Sequence, residues 1–504
     1  MSLKLLKNCN LVILRNNKVS HCDIIINGDR LLKIIYNPSE KEKFLYHLRK
    51  NFFDIRTFDI EGGYIIPGFT DSHTHLLSHG IELQRIDLSK CNSAQECLEK
   101  IREEREAEVI FGVNWDESNW IKGKKEDLNR TVLDRISNKK PVIMRRVCGH
   151  FAVCNTKALG FISKNWEIVD RKNGWLYEDA ALYLNRIFKP TFEMYKKGLE
   201  MAMKKALSMG ITSIHEITDI NGFKIYQTLK KKLKLRVALY LTDGLPSIIS
   251  SGVQSNFGDN YLKFVGKKIF MDGSIGAQTA ALRKPYQNSR NYGKILISEK
   301  KLLNLVKTAE DYSIQLMIHS IGDRSTDLVL KVFKLMRLSK NKLRHRLEHL
   351  EILDSNQIRE IASLDLIASM QPNFLRWQSS GNMYEKSLGM RYNDMNCFRR
   401  IKNAGIRLIF GSDCMPLGPL YGINLAVNHP SSENKLSPAK AIQLYTQTPS
   451  YATFDENKKG TIEEGKLADF LVLNKNPLIK EDLNDIKILK VFVDGNLVYQ
   501  HKQE

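Results

Sequence analysis

Two histidines stand one residue apart in the stretch PGFTDSHTHLLSHG, residues 67–80, directly after the apolar run YII. In a β-strand, residues i and i+2 point to the same face, so His73 and His75 would present both imidazoles to one spot. In a helix the same pair would lie about 200° apart and could not share a ligand. Neutral imidazoles paired at the end of a strand are one half of a typical metal site. The spacing therefore indicates metal binding, although two unrelated surface histidines would give the same pattern.

Other residues of metal chemistry stand at the ends of further strand-like segments. If these strands form a parallel barrel, their carboxyl ends meet at one rim, where barrel active sites lie. Each residue alone has a simpler explanation, such as a packing histidine, a turn or a helix cap. Their convergence favours a metal site, and the residues that would meet are His73, His75, Asp272, His319, His349 and Asp413.

Lys268 belongs to the same set by strand alternation. It shares a face with Phe264 and Asp272, and Asp272 at the strand end should face the pocket, whereas Lys267 points the other way. A lysine among metal ligands would be repelled by the cation unless it is neutral, paired or carboxylated by CO2. Carboxylation would turn Lys268 into an anionic bridging ligand.

The elements that must position these residues form an α/β pattern. Strand-like segments alternate with helical patterns, which predicts a (β/α)8 TIM barrel over residues 64–450. Residues 77–208 form a large insertion after the first barrel strand, with strands of its own in EVIFGVNW and KPVIMRRV, and we expect it to cover the barrel mouth. The eight barrel segments are YIIPGFTD, ITSIHEI, RVALYLT, KKIFMDG, IQLMIHS, RHRLEHL, LIASMQP and RLIFGSD.

Both ends of the chain carry β-hairpin signals. Asn27-Gly28-Asp29 and Asp494-Gly495 each separate two apolar runs, as tight turns between strands do. We expect residues 1–63 and 451–504 to pair into one small β-sandwich domain formed by both termini.

Composition excludes several other classes. The chain has 504 residues, 42% of them hydrophobic, and eight cysteines without a C-x-x-C pair, which argues against a structural zinc knuckle. Its net charge of +21 could indicate a nucleic-acid or membrane partner, but the basic residues are spread along the chain. No apolar run reaches the ~18 residues of a membrane span, and the N-terminus has no secretion signal. We therefore expect a cytoplasmic enzyme.

The motifs together resemble the amidohydrolase superfamily, the metal-dependent (β/α)8 hydrolases with a β-domain built from both termini. Within it, the chain is similar to the long-chain branch that includes N-substituted formamide deformylases. The resemblance runs nearly end to end, through PGFTDSHTHL, NWDESNW, GHFAVCNTKAL, GWLYEDA, KIFMDGSIGAQTAALRKPY, IHSIGDRSTD, LEHLEIL, IFGSDCMP and GTIEEGKLADFLVL.

The resemblance implies a ligand set and a mechanism. A two-metal site would use His73, His75, carboxylated Lys268 and Asp413 for one ion, and Lys268, His319 and His349 for the other. A one-metal site would use His73, His75, His319 and Asp413. Zinc suits these ligands, and manganese, iron or cobalt would also fit. Asp413 would take a proton from a metal-activated water and pass it to the departing nitrogen.

The substrate contacts are less well defined by the resemblance. We expect His150 to steady the substrate carbonyl, with Glu178, Asp272 and Gln278 as further substrate-binding residues; a structural role for His150 is the alternative. Gln278 and Asn428 stand where many relatives have arginine, so the substrate cannot be copied from a relative.

The expected activity is hydrolysis of a non-peptide carbon–nitrogen bond of a small molecule. A deaminase of an aminated heterocycle is the nearest alternative, a basic nucleic-acid-binding protein is a distant one, and an inactive scaffold would usually have lost a ligand. We expect a small-molecule substrate, no nucleic-acid or membrane partner, and a homodimer as the assembly to test.

Overall fold

A computed structural model of the chain describes residues 3–51, 55–104, 106–117, 120–147, 149, 151–163, 169–177, 179–337 and 340–501. The chain divides into two compact units. The first consists of Met1–Leu76 and Met203–Glu504, and the second is Leu77–Ala202.

The first unit contains a nearly closed barrel of eight parallel strands. Each of the eight predicted segments contributes one barrel strand, and each of the first seven barrel strands pairs in parallel with the next one. A short strand, Phe257–Gly258, pairs antiparallel with the fourth. In chain order the barrel strands are Phe69–Thr74, Ile211–Thr218, Arg236–Leu241, Leu262–Phe270, Gln315–Ser320, Arg346–His349, Ile367–Met370 and Leu408–Phe410.

The first and eighth strands meet where the barrel closes. The backbone N–H of Asp413 donates to the carbonyl of His73 over 2.8 Å, and the Asp71 carboxylate accepts from the Ser412 backbone N–H over 2.9 Å. A Cβ atom at Gly411 would lie 2.7 Å from the backbone nitrogen of His73, so only glycine permits this approach. The closure therefore places Asp413 beside His73.

Helices follow the barrel strands and bury one face each. Helix Glu299–Asp311, for example, begins after Ser298, whose side chain accepts from a backbone N–H of the first turn, and it buries Leu302 and Val306. The helices of this unit are Pro38–Asn51, Ile220–Thr228, Leu245–Ser250, Glu299–Asp311, Asp323–Met336, Ser355–Ser363, Met383–Leu388, Phe398–Asn403, Pro419–Val427, Pro438–Leu444 and Gln447–Ala452.

The fourth barrel strand contains a β-bulge that the sequence did not reveal. Leu239 pairs with Phe264, but the next residue of the third strand, Tyr240, pairs with Gly266. The extra residue breaks the alternation, so Phe264 packs in a cluster with Leu245, which lies in the helix between the third and fourth strands. The prediction that Phe264 shares the face of Lys268 was therefore wrong.

The segment YIIPGFTD, predicted as one barrel strand, forms two strands in different sheets. Tyr64–Pro67 joins the sheet of the chain ends, where it pairs with Leu3–Ile13 and with Phe470–Leu473. Proline lacks a backbone N–H for sheet pairing, so the strand ends at Pro67, and the barrel strand begins after Gly68.

The sheet of the chain ends has eight strands, and both predicted hairpins are confirmed. Its strands pair into one hydrogen-bonded sheet, where the sequence suggested a small sandwich. The strands are Leu3–Ile13, Lys18–Asn27, Arg30–Ile35, Ile55–Asp59, Tyr64–Pro67, Phe470–Leu473, Ile488–Val493 and Asn496–Gln500.

The second unit has its own six-stranded sheet with an apolar cluster on each face. Ile110 and Met144 lie in one cluster, and their neighbours Phe111 and Ile143 lie in the other, as strand alternation requires. Its strands are Ile86–Asp87, Ile110–Trp115, Val142–Arg146, Phe151–Cys154, Val169–Asp170 and Trp175–Tyr177. Its helices are Ala94–Arg102, Arg130–Asp134, Thr156–Leu159 and Asp179–Ile187; Leu76–Glu82 and Phe192–Ser208 cross its two boundaries.

Among the described residues, no helix is both long and apolar enough to cross a membrane.

Candidate metal centre

Three predicted ligands converge at the carboxyl ends of the barrel strands. One side-chain ligand atom from each of His73, His349 and Asp413 lies within 4.8 Å of the other two. Zinc lies about 2.0–2.2 Å from imidazole nitrogens and carboxylate oxygens, so a small inward movement would let one ion contact all three. Zinc, manganese, iron and cobalt can all be bound by two nitrogen ligands and one oxygen ligand. The residues present therefore fit a divalent metal.

His73 is held in the form that a metal requires. Its Nδ1 lies 2.5 Å from Oε2 of Glu348, and both side chains are fully buried. A carboxylate can only accept, so Nδ1 carries the proton and Nε2 keeps its lone pair. Nε2 faces Asp413, whose Oδ1 is 3.7 Å away. Burial, together with the nearby Lys268, lowers the pKa of His73 to about 4, which keeps the imidazole neutral.

His75 and His319 flank this group. The Nε2 atom of His75 lies 3.3 Å from Oδ1 of Asp413, and its side chain is 36% exposed, which puts it at the open side of the centre. The His319 ring centroid is 4.4 Å from that of His349. Nε2 of His319 lies 2.9 Å from the Gly273 carbonyl oxygen, which can only accept. His319 therefore has Nδ1 as its lone-pair atom.

Lys268 points into the barrel, as strand alternation predicted. It is 1% exposed, and its Nζ lies 3.3 Å from Nε2 of His73. Burial lowers the pKa of Lys268 to about 8, so the neutral amine is accessible near neutral pH. Lys267 lies on the other face and donates to the carbonyl of Thr242.

Asp413 is ionised in this environment. Burial alone would raise its pKa, but His73 and His75 lower it below the ordinary value of 3.8. An ionised carboxylate can bind a cation and accept a proton.

Both His349 and Asp413 have left-handed backbone conformations that non-glycine residues rarely adopt. The φ angles are 73° at His349 and 53° at Asp413, and the residues that follow, Leu350 and Cys414, have 49° and 57°. Such conformations cost roughly 1–3 kcal/mol each and cluster at functional sites. Here they turn the chain sharply at two strand ends that both carry candidate ligands.

Glu348 and Arg346 support the centre from inside the barrel and were not among the predicted site residues. Arg346 Nε donates to Glu348 Oε1 over 2.6 Å, and Nη2 donates to Oε2 over 3.0 Å. Burial alone would raise the pKa of Glu348, but Arg346 and His73 hold it well below its ordinary value. The signal was present in the strand Arg346–His349, where alternation places both charged residues on one face.

Asp272, predicted to bind substrate, has a different position. It is 1% exposed and accepts hydrogen bonds from the backbone of Ala281, Ile321 and Gly322 and from the Ser325 hydroxyl, over 2.8–3.0 Å. Its oxygens are therefore occupied by two loops of the barrel rim. Asp272 holds these loops, and with them the segment after His319, rather than a substrate.

The structure says less about the other residues that were predicted to contact the substrate. Gln278 lies partly exposed in the loop after the fourth strand, with a φ of 56°. Asn428 is exposed and donates to Asn424. His150 and Glu178 lie outside the described residues, so their predicted roles stay predictions.

The similarity to known proteins agrees with this chemistry. A profile of the amidohydrolase family matches residues 56–499. YtcJ of Bacillus subtilis (strain 168), which carries the name of an amidohydrolase, is 27% identical over 482 residues that cover 88% of this chain and 90% of that protein. The N-substituted formamide deformylase of Arthrobacter pascens is 24% identical over 500 residues, covering 89% and 90%.

Comparison with a solved structure also indicates a metal-dependent hydrolase. The crystal structure of a metal-dependent hydrolase from Pyrococcus furiosus superposes with a TM-score of 0.81 at 26% identity and covers 95% of this chain and all of that one. With the family profile spanning most of its length and the candidate ligand residues gathered at the barrel rim, this chain belongs to the amidohydrolase family and is a metal-dependent hydrolase.

Proposed function

We propose that this protein hydrolyses an amide-type, non-peptide carbon–nitrogen bond of a small molecule, with zinc as the metal and a carboxylated Lys268 as a ligand. The observation that carries the proposal is the convergence of His73, His349 and Asp413 around one point beside a buried lysine. The name of the Arthrobacter pascens relative, an N-substituted formamide deformylase, supports an amide-type bond.

The surroundings of Lys268 suit its carboxylation. The neutral amine attacks CO2, a nitrogen–carbon bond forms, and the amine proton leaves to solvent. The product is a carbamate anion whose two oxygens can serve the same centre as His73 and His349. A buried site that favours the neutral amine supports this reaction, because a protonated amine has no lone pair.

Asp413 and His73 have distinct tasks in the proposed reaction. A bound divalent metal supplies Lewis acidity, which polarises a carbonyl and acidifies water. Asp413 accepts the proton of the attacking water and returns it to the departing nitrogen, so that the amine leaves uncharged. His73 keeps the tautomer set by Glu348 throughout and exchanges no proton.

A substrate screen tests the proposal. Purified protein supplied with zinc is incubated with N-substituted formamides, other N-acyl amines, cyclic amides and aminated heterocycles, with Asp413→Asn as the matched inactive control. We expect release of an amine and a carboxylic acid from one or more amides. Release of ammonia from a heterocycle, with every amide left intact, would instead identify a deaminase and reject the proposal.

A further inference from the structure

A small cavity lies at the amino-terminal end of the barrel, away from the metal centre. Its walls come from the first residues of the second, third and fourth strands and from a segment near the end of the chain. The volume is about 20 Å³, which holds one or two particles the size of a water molecule. The polar residues that bear on its chemistry are Ser213, His215, Arg236, Lys263, Asp455 and Lys459.

His215 lines this cavity and has an unused donor. Its Nδ1 lies 2.8 Å from Nη1 of Arg346, and a guanidinium can only donate. Nδ1 must therefore accept, which leaves the proton on Nε2. His215 is 1% exposed, and its Nε2 has no hydrogen-bond partner within the described part of the chain. A buried N–H without an acceptor is costly, so this atom favours an acceptor in the cavity.

Lys459 brings a buried amine whose nearest carboxylates lie beyond ion-pair distance among the described residues. It is 7% exposed, and its Nζ donates to the hydroxyls of Ser213 over 2.8 Å and Thr70 over 3.5 Å. No carboxylate of the described residues forms an ion pair with it within 4.0 Å. A buried ammonium that is not paired with an anion is strongly unfavourable.

The neighbouring carboxylates already serve other cations. Asp455 accepts from Lys263 over 2.7 Å, and the guanidinium of Arg236 pairs with Asp469 over 2.6 Å. Lys459 therefore has only the longer-range attraction of Asp455 and Asp469 to offset its charge.

We propose that this cavity binds a monatomic anion, chloride under ordinary conditions, between Nζ of Lys459 and Nε2 of His215. One chloride would accept from both donors and neutralise the lysine, and its size suits the cavity better than a phosphate ester would. The site is separate from the hydrolytic centre, and the proposal does not depend on the proposed function.

Bromide makes the site visible, because it replaces chloride chemically and scatters X-rays anomalously. Crystals grown in sodium bromide should give an anomalous difference peak within hydrogen-bonding distance of both Lys459 Nζ and His215 Nε2. Density with no anomalous signal there would mean that the cavity holds only water, which would overturn the proposal.

Thermal unfolding of the whole protein provides the second measurement. We expect sodium bromide to raise Tm by about 1–3 °C in a saturable manner, relative to sodium gluconate at equal ionic strength. Lys459→Met should abolish this difference. Lys301→Met is the matched control, since that lysine is exposed on helix Glu299–Asp311 and is not among the residues that line the cavity, and it should respond like the wild type.

Two outcomes of this measurement would contradict the proposal. If bromide raised Tm equally in the wild type and in both variants, the effect would be general stabilisation by salt. If a bromide peak appeared in the crystal without any shift in Tm, the site would hold an adventitious ion only. If Lys459→Met does not fold, the diffraction experiment and the wild-type Tm still decide.

Discussion

Replacing Glu348 with glutamine keeps the size of the side chain but removes its charge and exchanges one acceptor oxygen for an NH2 donor. If the NH2 takes the place of Oε1, it faces Nε of Arg346, which also donates. If it takes the place of Oε2, it faces both Arg346 and Nδ1 of His73. His73 would then have to move its proton to Nε2 and lose the lone pair that a metal needs.

The size of the effect follows from these contacts. Glu348 and Arg346 are both 0% exposed, so the variant leaves a buried guanidinium without its anion. Breaking a buried ion pair on one side costs about 3–5 kcal/mol of unfolding free energy. Loss of the hydrogen bond that orients a histidine ligand typically lowers metal affinity by about 10–100-fold. We expect both losses in Glu348→Gln.

Two assays measure the loss of stability and the loss of zinc affinity separately. Urea unfolding of metal-free protein measures stability, and competition with a chromophoric chelator measures zinc affinity. Asp469→Asn is the matched control, because Asp469 also pairs with a buried arginine, Arg236, but at the other end of the barrel. It should lose stability and keep zinc affinity. Wild-type zinc affinity in Glu348→Gln would contradict the expected loss and would mean that His73 keeps its hydrogen bond to the remaining oxygen or does not need it.

Three further predictions concern the same centre. Lys268→Ala should lose metal and activity, with partial rescue by short carboxylic acids, while Lys267→Ala should be nearly silent; the reverse ranking in metal content would contradict the inward placement of Lys268. Asp413→Asn should retain most of its metal while turnover falls by roughly 10²-fold or more, and near-normal turnover would remove Asp413 as the proton carrier. In metal-free protein, the stability difference between wild type and Glu348→Gln should be complete at neutral pH and shrink below the ordinary carboxyl pKa of 4.5. The reason is that the lowered pKa of folded Glu348 stabilises the fold only while the carboxylate is ionised. If urea titrations showed instead that the stability difference between the two proteins grows as the pH falls, this explanation would be contradicted.

Much of the barrel could be predicted because its strands are short, apolar and separated by helical patterns. The polar residues at strand ends then identified one rim, and His73, His349 and Asp413 do meet there. Alternation was sufficient for Lys268, because the strand from Lys268 to its end at Phe270 pairs with the fifth strand without a register shift.

The failures came from features that local patterns do not encode. The bulge before Gly266 depends on pairing with the third strand, so alternation gave the wrong face for Phe264. Asp272 was predicted to bind substrate, but its hydrogen bonds go to a loop about 50 residues away in the chain. The partnership of Glu348 with His73 joins residues 275 positions apart, which only the closed barrel brings together.

The central claim is that His73, His349 and Asp413 bind a divalent metal. X-ray fluorescence of crystals of the purified protein would identify the element, and an anomalous difference map at its absorption edge would locate it. We predict a peak within coordination distance of Nε2 of His73 and of the side chains of His349 and Asp413. A map without a peak there after growth in zinc, or a metal bound only elsewhere, would contradict the claim.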